Sequence, residues 1–339
     1  MLAAVYQGAH TIAVEERSLP ETGPDQVLIE VSHCGICGSD LHTLYEDWGV
    51  PGSIAGHEYS GVIVEVGSRV AGWQPGDRVV GGPGSGCGAC RPCRSGRPNV
   101  CTGRPRAGFD SYVGAFAGYK ALDADRLYRI PDGLDLRTAA LTEPVAVALH
   151  GIQKARPEPD DRVLVTGAGP IGILTVAVLH VSGVRRVTVS EPAARRRELA
   201  VRLGTASVIE PDQLEVPPMP TDLVASPFHV AFECSGRSEA MEAALANLDV
   251  GGTLVLSGTG MRRPRFDPNR IILHELTVTG TVEYTPDDYR AALELLASGR
   301  LPTDLLIEPE DQPLGRLEWV LGQLSRGEVA GKVMVVPRA

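Results

Sequence analysis

VLVTGAGPIG, residues 163–172, places glycines at 167, 169 and 172 between an apolar run and a helix-length apolar stretch, ILTVAVLHV (173–181). The spacing G-x-G-x-x-G is common by itself, but between a strand and a helix each position has a physical task. Gly167 permits the tight turn, Gly169 lets a pyrophosphate approach the backbone, and Gly172 lets helix and strand pack closely. Pro170 and Ile171 open the helix, whose N-terminus offers free N–H groups and a positive dipole to phosphate. The next apolar run, RRVTVSE (185–191), delivers Glu191 close to the ~20 residues at which such a site carries its acid. A carboxylate there accepts hydrogen bonds from both adenosine ribose hydroxyls and repels a 2′-phosphate, so NAD is favoured over NADP. Arg195, Arg196 and Arg197 follow. They are an alternative host for that phosphate, or a solvated helix face with Arg196 on the ribose.

Outward from this loop the texture is regular. From about Asp160 to Gly280 the short runs RVLVTG, RRVTVSE, ASVIE, HVAFECS and TLVLSG alternate with the helical stretches IGILTVAVLHVSG, AARRRELAVRLG and SEAMEAALANL. Strands alternating with helices predict an α/β unit, a parallel sheet covered on both faces. Before it, from Met1 to about Ala140, short β-rich runs (QVLIEVSHC, GVIVEVG, GDRVVGG) are broken by glycine and proline turns, which predicts an irregular, mostly β domain. After it come a helix, TPDDYRAALELLASG, and a tail containing KVMVV. The chain has 339 residues and a net charge of −10, which argues against nucleic acid as a partner. No apolar stretch reaches the ~18 residues of a membrane span, and the first residues lack the basic leader and apolar run of a secretory signal. A cytoplasmic enzyme with no membrane partner is the expectation.

Seven cysteines, four of them within residues 87–101, do not make an evenly spaced disulfide scaffold. Cys87, Cys90, Cys93 and Cys101 can close a tetrahedral thiolate shell around zinc with no vacancy, the pattern of a structural site. An iron–sulfur cluster also takes four cysteines, but nothing else in the chain suggests electron transfer. Gly84, Gly86, Gly88 and Pro92 help the backbone wrap the ion. Cys34 and Cys37 form a separate C-x-x-C pair, either a redox dithiol or a metal ligand beside a bystander. His57 and Glu58 in GHEYSG and Glu143 in LTEPVAVALH each have an ordinary explanation taken singly. A catalytic zinc needs such mixed ligands and one open position.

Together the segments C-G-S-D-L-H (37–42), G-H-E-Y-S-G (56–61) with Gly67 and Val70, P-G-D-R-V (75–79), the cysteine lobe, E-P-V-A-V-A-L-H (143–150), G-A-G-P-I-G (167–172) and F-E-C-S-G (232–236) span nearly the whole chain. In this order the chain resembles the zinc-containing medium-chain dehydrogenases, in the sorbitol/butanediol/threonine dehydrogenase branch. The resemblance implies a GroES-like catalytic domain (1–147 and 284–339) into which a Rossmann domain (148–283) is inserted. It implies two zinc ions per chain, with Cys37, His57 and a carboxylate on the catalytic one. Both Glu58 and Glu143 stand as that carboxylate. It implies a proton relay through Ser39, the nicotinamide ribose and His42, histidine being the side chain that changes protonation near neutral pH. It also implies a homo-oligomer, a tetramer ahead of a dimer.

The reaction implied is hydride transfer between nicotinamide and the carbon of a secondary alcohol, diol or polyol. The alternatives are NADPH-dependent reduction of an aldehyde, imine or activated alkene, and a non-catalytic nucleotide-binding protein on the same fold. Sorbitol-type enzymes tend to carry Arg-Tyr where this chain has Glu283-Tyr284, which weakens the case for sorbitol. Tyr45, Trp48 and Phe109 are candidate walls of a substrate pocket.

Overall fold

The computed structural model describes residues 1–46, 48–84, 86–103 and 113–338. Phe109 lies outside the described residues. Strands β1 (Leu2–Gly8) and β2 (Thr11–Glu16) form a hairpin turned by Ala9 and His10, both at positive φ (48° and 64°). That is the turn geometry matched to the twist of paired strands. Strands β3 (Gln26–Gly35), β4 (Glu58–Val66), β5 (Arg78–Gly81), β6 (Tyr119–Asp123) and β7 (Leu127–Arg129) pair antiparallel.

The chain then builds a second sheet from β8 (Arg162–Thr166), β9 (Arg186–Ser190), β10 (Ser207–Ile209), β11 (Phe228–Glu233), β12 (Leu248–Leu256) and β13 (Thr277–Gly280). All its pairs are parallel, in the order β10-β9-β8-β11-β12-β13. The order reverses between β8 and β11, the point at which doubly wound sheets bind dinucleotides. Val163, Leu164, Val165 and Thr166 of β8 are all buried, as a central strand covered on both faces requires.

Finally β14 (Gln312–Pro313) and β15 (Met334–Val336) return to the first sheet, where β15 pairs with the end of β3 through Met334–Gly35 and Val335–Cys34. A helix that the sequence reading passed over, Leu317–Ser325, accompanies them. Its Leu317, Val320, Leu321 and Leu324 share one apolar core with Val5, Ile29, Ile36 and Leu44. The late segment is thus part of the first domain's core. The helix Thr142–Ala155 packs on both Pro170–Val181 and Pro286–Ala297, so one further core runs through the junction of the two domains.

Candidate active site

Cys37 ends the turn after β3 and caps the helix Gly38–Tyr45. The Asp40 carboxylate accepts a hydrogen bond from the Cys37 N–H (2.9 Å), satisfying a donor that the helix start would otherwise leave unpaired. Gly35 of β3 lies opposite Glu58, the first residue of β4. The end of one strand and the start of its neighbour therefore bring Cys37, His57 and Glu58 together, with donor atoms within 4.8 Å of one another. Glu58 is fully buried, and its Oε1 accepts from Lys332 Nζ at 2.7 Å. The ammonium, 1% exposed, also donates to the Ile36 carbonyl (2.9 Å). Glu58 Oε2 has no hydrogen-bond partner. A side chain at Gly35 would overlap that oxygen, so the glycine is what makes room for it.

Glu143 stands in the first turn of Thr142–Ala155, outside the cluster of three donors. Burial pushes its carboxyl up to about 7, opposed by His57 and assisted by Glu58, and Tyr284 is hydrogen-bonded to it. Desolvation works to lower His57, but the hydrogen-bonded Cys37 sulfur and the Glu143 and Asp40 carboxylates raise it well above the usual histidine range. A site that draws a proton onto its histidine, and leaves a buried carboxylate oxygen unpaired, is set to take a cation. Sulfur, nitrogen and oxygen donors with room for a fourth ligand suit catalytic zinc. Cys34, by contrast, is a buried thiol pushed far up by desolvation, which removes the nucleophile a redox dithiol needs.

The four sulfurs of Cys87, Cys90, Cys93 and Cys101 also lie within 4.8 Å of one another. Backbone amides of Cys93 and Thr102 draw the Cys90 thiol down to about 6, and the Cys87 amide lowers Cys101. Burial and the neighbouring Cys90 and Cys101 push Cys93 the other way, up to about 11, so the four thiols share their protons unequally, as sulfurs crowded into one shell do. Gly86, at φ 72°, leaves space that a Cβ would take from the Cys93 sulfur.

One continuous cleft is lined by Gly167, Gly169, Pro170 and Glu191 on one side and by Gly38, Leu41 and His42 on the other. Gly167 adopts φ 88°, and a side chain at Gly172 would overlap the Gly167 carbonyl. Ile171, in the helix's first turn, is partly buried, and its carbonyl accepts from Thr175 Oγ1 (2.9 Å). The Glu191 carboxylate accepts from the amides of Ala168 (2.7 Å) and Ala193 (2.9 Å), tying the glycine loop to the next helix.

The neighbouring arginines are already engaged. Arg195 pairs with Glu308 (3.1 Å), and Arg197 donates to Glu210 (2.8 Å) and to the Glu191 and Pro192 carbonyls. Arg196 donates to the carbonyls of Val329 (3.0 Å) and Leu324 (2.9 Å), bridging to the first domain while still lining the cleft. It is not part of a solvated helix face.

Residues 23–132 match the alcohol dehydrogenase GroES-like domain, and residues 170–298 match the zinc-binding dehydrogenase domain. The chain belongs to the zinc-dependent medium-chain dehydrogenases. The dehydrogenase is 35% identical over 319 residues to the Aspergillus terreus protein named probable D-xylulose reductase A, covering 90% of each chain. Among solved structures it is similar to a zinc-binding dehydrogenase from Sinorhizobium meliloti bound to NADP (31% identity, TM-score 0.87, 99% of each chain). It is also similar to 2R,3R-butanediol dehydrogenase from Bacillus subtilis (29% identity, TM-score 0.86, 99% of each chain). The dehydrogenase is therefore a zinc-dependent alcohol oxidoreductase using a nicotinamide dinucleotide.

Four residues of the dehydrogenase's site were not anticipated: Asp40, Lys332, Tyr284 and Thr259. Asp40 had a signal in its place three residues after Cys37, the spacing of a reciprocal helix cap. Thr259 Oγ1 lies 3.1 Å from Nε2 of His42, across the cleft. Ser39 sits one helical turn before His42 and is partly exposed.

Proposed function

We propose that this dehydrogenase oxidises a secondary alcohol, diol or polyol with NAD, and reduces the corresponding ketone with NADH. The observation that carries the reading is the cluster of Cys37, His57 and Glu58, with Lys332 neutralising the buried carboxylate and with Gly38, the residue after Cys37, lining the dinucleotide cleft. Residues 1–147 and 284–339 form the catalytic unit and 148–283 the cofactor unit. Cys37, His57 and Glu58 hold the catalytic zinc. Glu143, hydrogen-bonded to Tyr284, stands ready to exchange with Glu58. Cys87, Cys90, Cys93 and Cys101 hold a second, structural zinc.

When bound, zinc polarises the alcohol or carbonyl oxygen and nicotinamide takes or returns the hydride. The chain's own residues do the rest. Gly167, Gly169, Pro170, Ile171 and Gly172 admit the pyrophosphate, while Glu191 orients the adenosine ribose. Ser39 and His42 move the alcohol proton outward. Support for NAD comes from charge: Glu191 meets the ribose end, and Arg195 and Arg197 are already paired with Glu308 and Glu210. Support for a secondary carbinol flanked by hydroxyls comes from the relatives named for D-xylulose and 2R,3R-butanediol.

The clustered thiols suit a reducing cytoplasm. The edge strand Thr277–Gly280, with exposed Ile272, Leu273 and Val282 near it in sequence, suits assembly into a homotetramer.

The deciding experiment follows reduced-cofactor absorbance over a panel of secondary alcohols, diols and polyols, with NAD and with NADP, before and after a zinc chelator. Chelator-sensitive turnover of such compounds supports the proposal; turnover confined to an alkene or imine with NADPH overturns it.

Glu191→Ser is expected to lower kcat/KM for NAD at least ~10-fold, since charge-assisted hydrogen bonds contribute about 1.5–3 kcal/mol each. The ratio of NADP to NAD activity rises with it, and an unchanged ratio removes Glu191 from cofactor choice. Cys90→Ser is expected to lose one zinc per chain and to melt at a lower temperature, read by metal analysis and thermal unfolding. A variant as stable and active as wild type removes the structural zinc from the account.

A further inference from the structure

His42 is held from both ring nitrogens. Its Nδ1 meets the Glu46 carboxylate at 2.7 Å on the same side of the domain, and its Nε2 meets Thr259 Oγ1 of the cofactor domain at 3.1 Å. The ring stacks on Trp48, with centroids 4.7 Å apart and planes 26° apart. The backbone fixes this arrangement, because the His42 carbonyl accepts from the amides of both Glu46 (3.1 Å) and Trp48 (3.3 Å). An ionised carboxylate can only accept, so the neutral imidazole must carry its proton on Nδ1. Nε2 is then the lone pair, facing the cleft and meeting a hydroxyl. Thr259 shows that a hydroxyl fits at that nitrogen.

We infer that Glu46 is a positioning residue that acts through His42, fixing the tautomer whose acceptor nitrogen faces the cleft and pairing the imidazolium formed on proton uptake. The inference rests on the proposed role of His42 in proton movement. The order of events balances. Nε2 takes the proton that leaves the alcohol side, and the doubly protonated ring is charge-paired with Glu46. The ring then gives one proton to water and returns to the Nδ1–H form. An acceptor that orients a histidine from behind is the arrangement by which a carboxylate makes an imidazole an effective base.

Two arginines that line the cleft are engaged elsewhere: Arg326 pairs with Glu328 (2.9 Å) and Arg262 with Glu239 (3.6 Å). The Glu46 side chain is 34% exposed and that of His42 15%, so the pair sits where the cleft meets water. That is the place for the outer end of a proton path.

The test uses the zinc-loaded NADH complex of the full chain with 15N-labelled histidine, His42 being assigned by the loss of its signals in H42Q. Long-range proton–nitrogen correlation in mildly alkaline buffer is expected to show Nδ1 protonated and Nε2 unprotonated in the wild type. E46Q is expected to reverse or average the two, and E46D to restore them. Wild-type protein with the proton on Nε2 overturns the inference, as does an E46Q spectrum identical to wild type. In parallel, kcat for the alcohol that the panel above shows to be oxidised is expected to fall by about 10²-fold in E46Q, the lower range of a general-base contribution, with NADH affinity unchanged and E46D recovering most of the loss. An H42Q enzyme with wild-type kcat overturns the relay itself. An impaired H42Q beside a fully active E46Q overturns only the assignment of Glu46.

Discussion

His57→Ala is expected to leave a folded protein that binds NADH and does not turn over. The loss should be about 10³-fold or more in kcat, the order that removal of a principal electrostatic stabiliser costs. His57 is hydrogen-bonded to Cys37 and lies near Glu143, so its removal takes out the only nitrogen donor of the cluster and leaves a sulfur and buried carboxyl groups facing one another. Metal analysis should find one zinc fewer per chain, with the cysteine lobe still loaded. NADH fluorescence should be unchanged, because the glycine loop and Glu191 belong to the other sheet. Retained turnover with full metal content removes His57 from the site.

Lys332→Met is expected to have the largest effect on stability. Burial works against the ammonium, yet Glu58, Cys37 and Glu143 together hold it above the ordinary lysine range. Breaking a buried pair by removing one partner costs about 3–5 kcal/mol, because the other charge is left buried and alone. Here that charge is the fully buried Glu58. The variant should therefore melt well below wild type when stripped of metal. Added zinc should raise its melting temperature by more than it raises that of wild type, since the metal gives Glu58 a second counter-charge. Pairing the change with Glu58→Gln should recover part of the loss. A metal-free Lys332→Met protein melting with wild type shows that the pair contributes nothing.

Much of the fold was readable because its signals are local. RVLVTG, RRVTVSE, ASVIE, HVAFECS and TLVLSG became β8 to β12, and the glycine loop follows the central strand β8 as its spacing implied. The sixth strand, Thr277–Gly280, is four residues long, lies at the sheet edge and buries none of them fully, so it carries too little apolar pattern to stand out. The helix Leu317–Ser325 is different. Leu317, Val320, Leu321 and Leu324 follow the i, i+3, i+4, i+7 stripe, and the signal was present but lost beside an irregular tail.

In the site, Cys37, His57 and Glu58 came from motif resemblance, and geometry joined them. Lys332 could not be read so directly, because it meets Glu58 across 274 residues. Composition held a hint. The chain has 32 basic residues, and lysine occurs among them only at 120, 154 and 332. Two of these three, Lys120 and Lys332, are buried. Tyr284 was noticed for the residue before it, while its own contact with Glu143 needed the folded chain.

The late return of β15 to β3 has a consequence for biosynthesis. Translation at roughly 5–20 residues per second separates Glu58 from Lys332 by on the order of tens of seconds. In that interval the whole parallel sheet, contiguous in sequence, can emerge and fold. The nascent first domain meanwhile holds its cysteine, histidine and glutamate without their counter-ion, and without the strand that closes over Cys34 and Gly35. Completion of the buried Glu58–Lys332 pair is thus a late event in the life of each polypeptide, and a chain that stops before residue 332 has every strand of the parallel sheet but not the ammonium that faces Glu58.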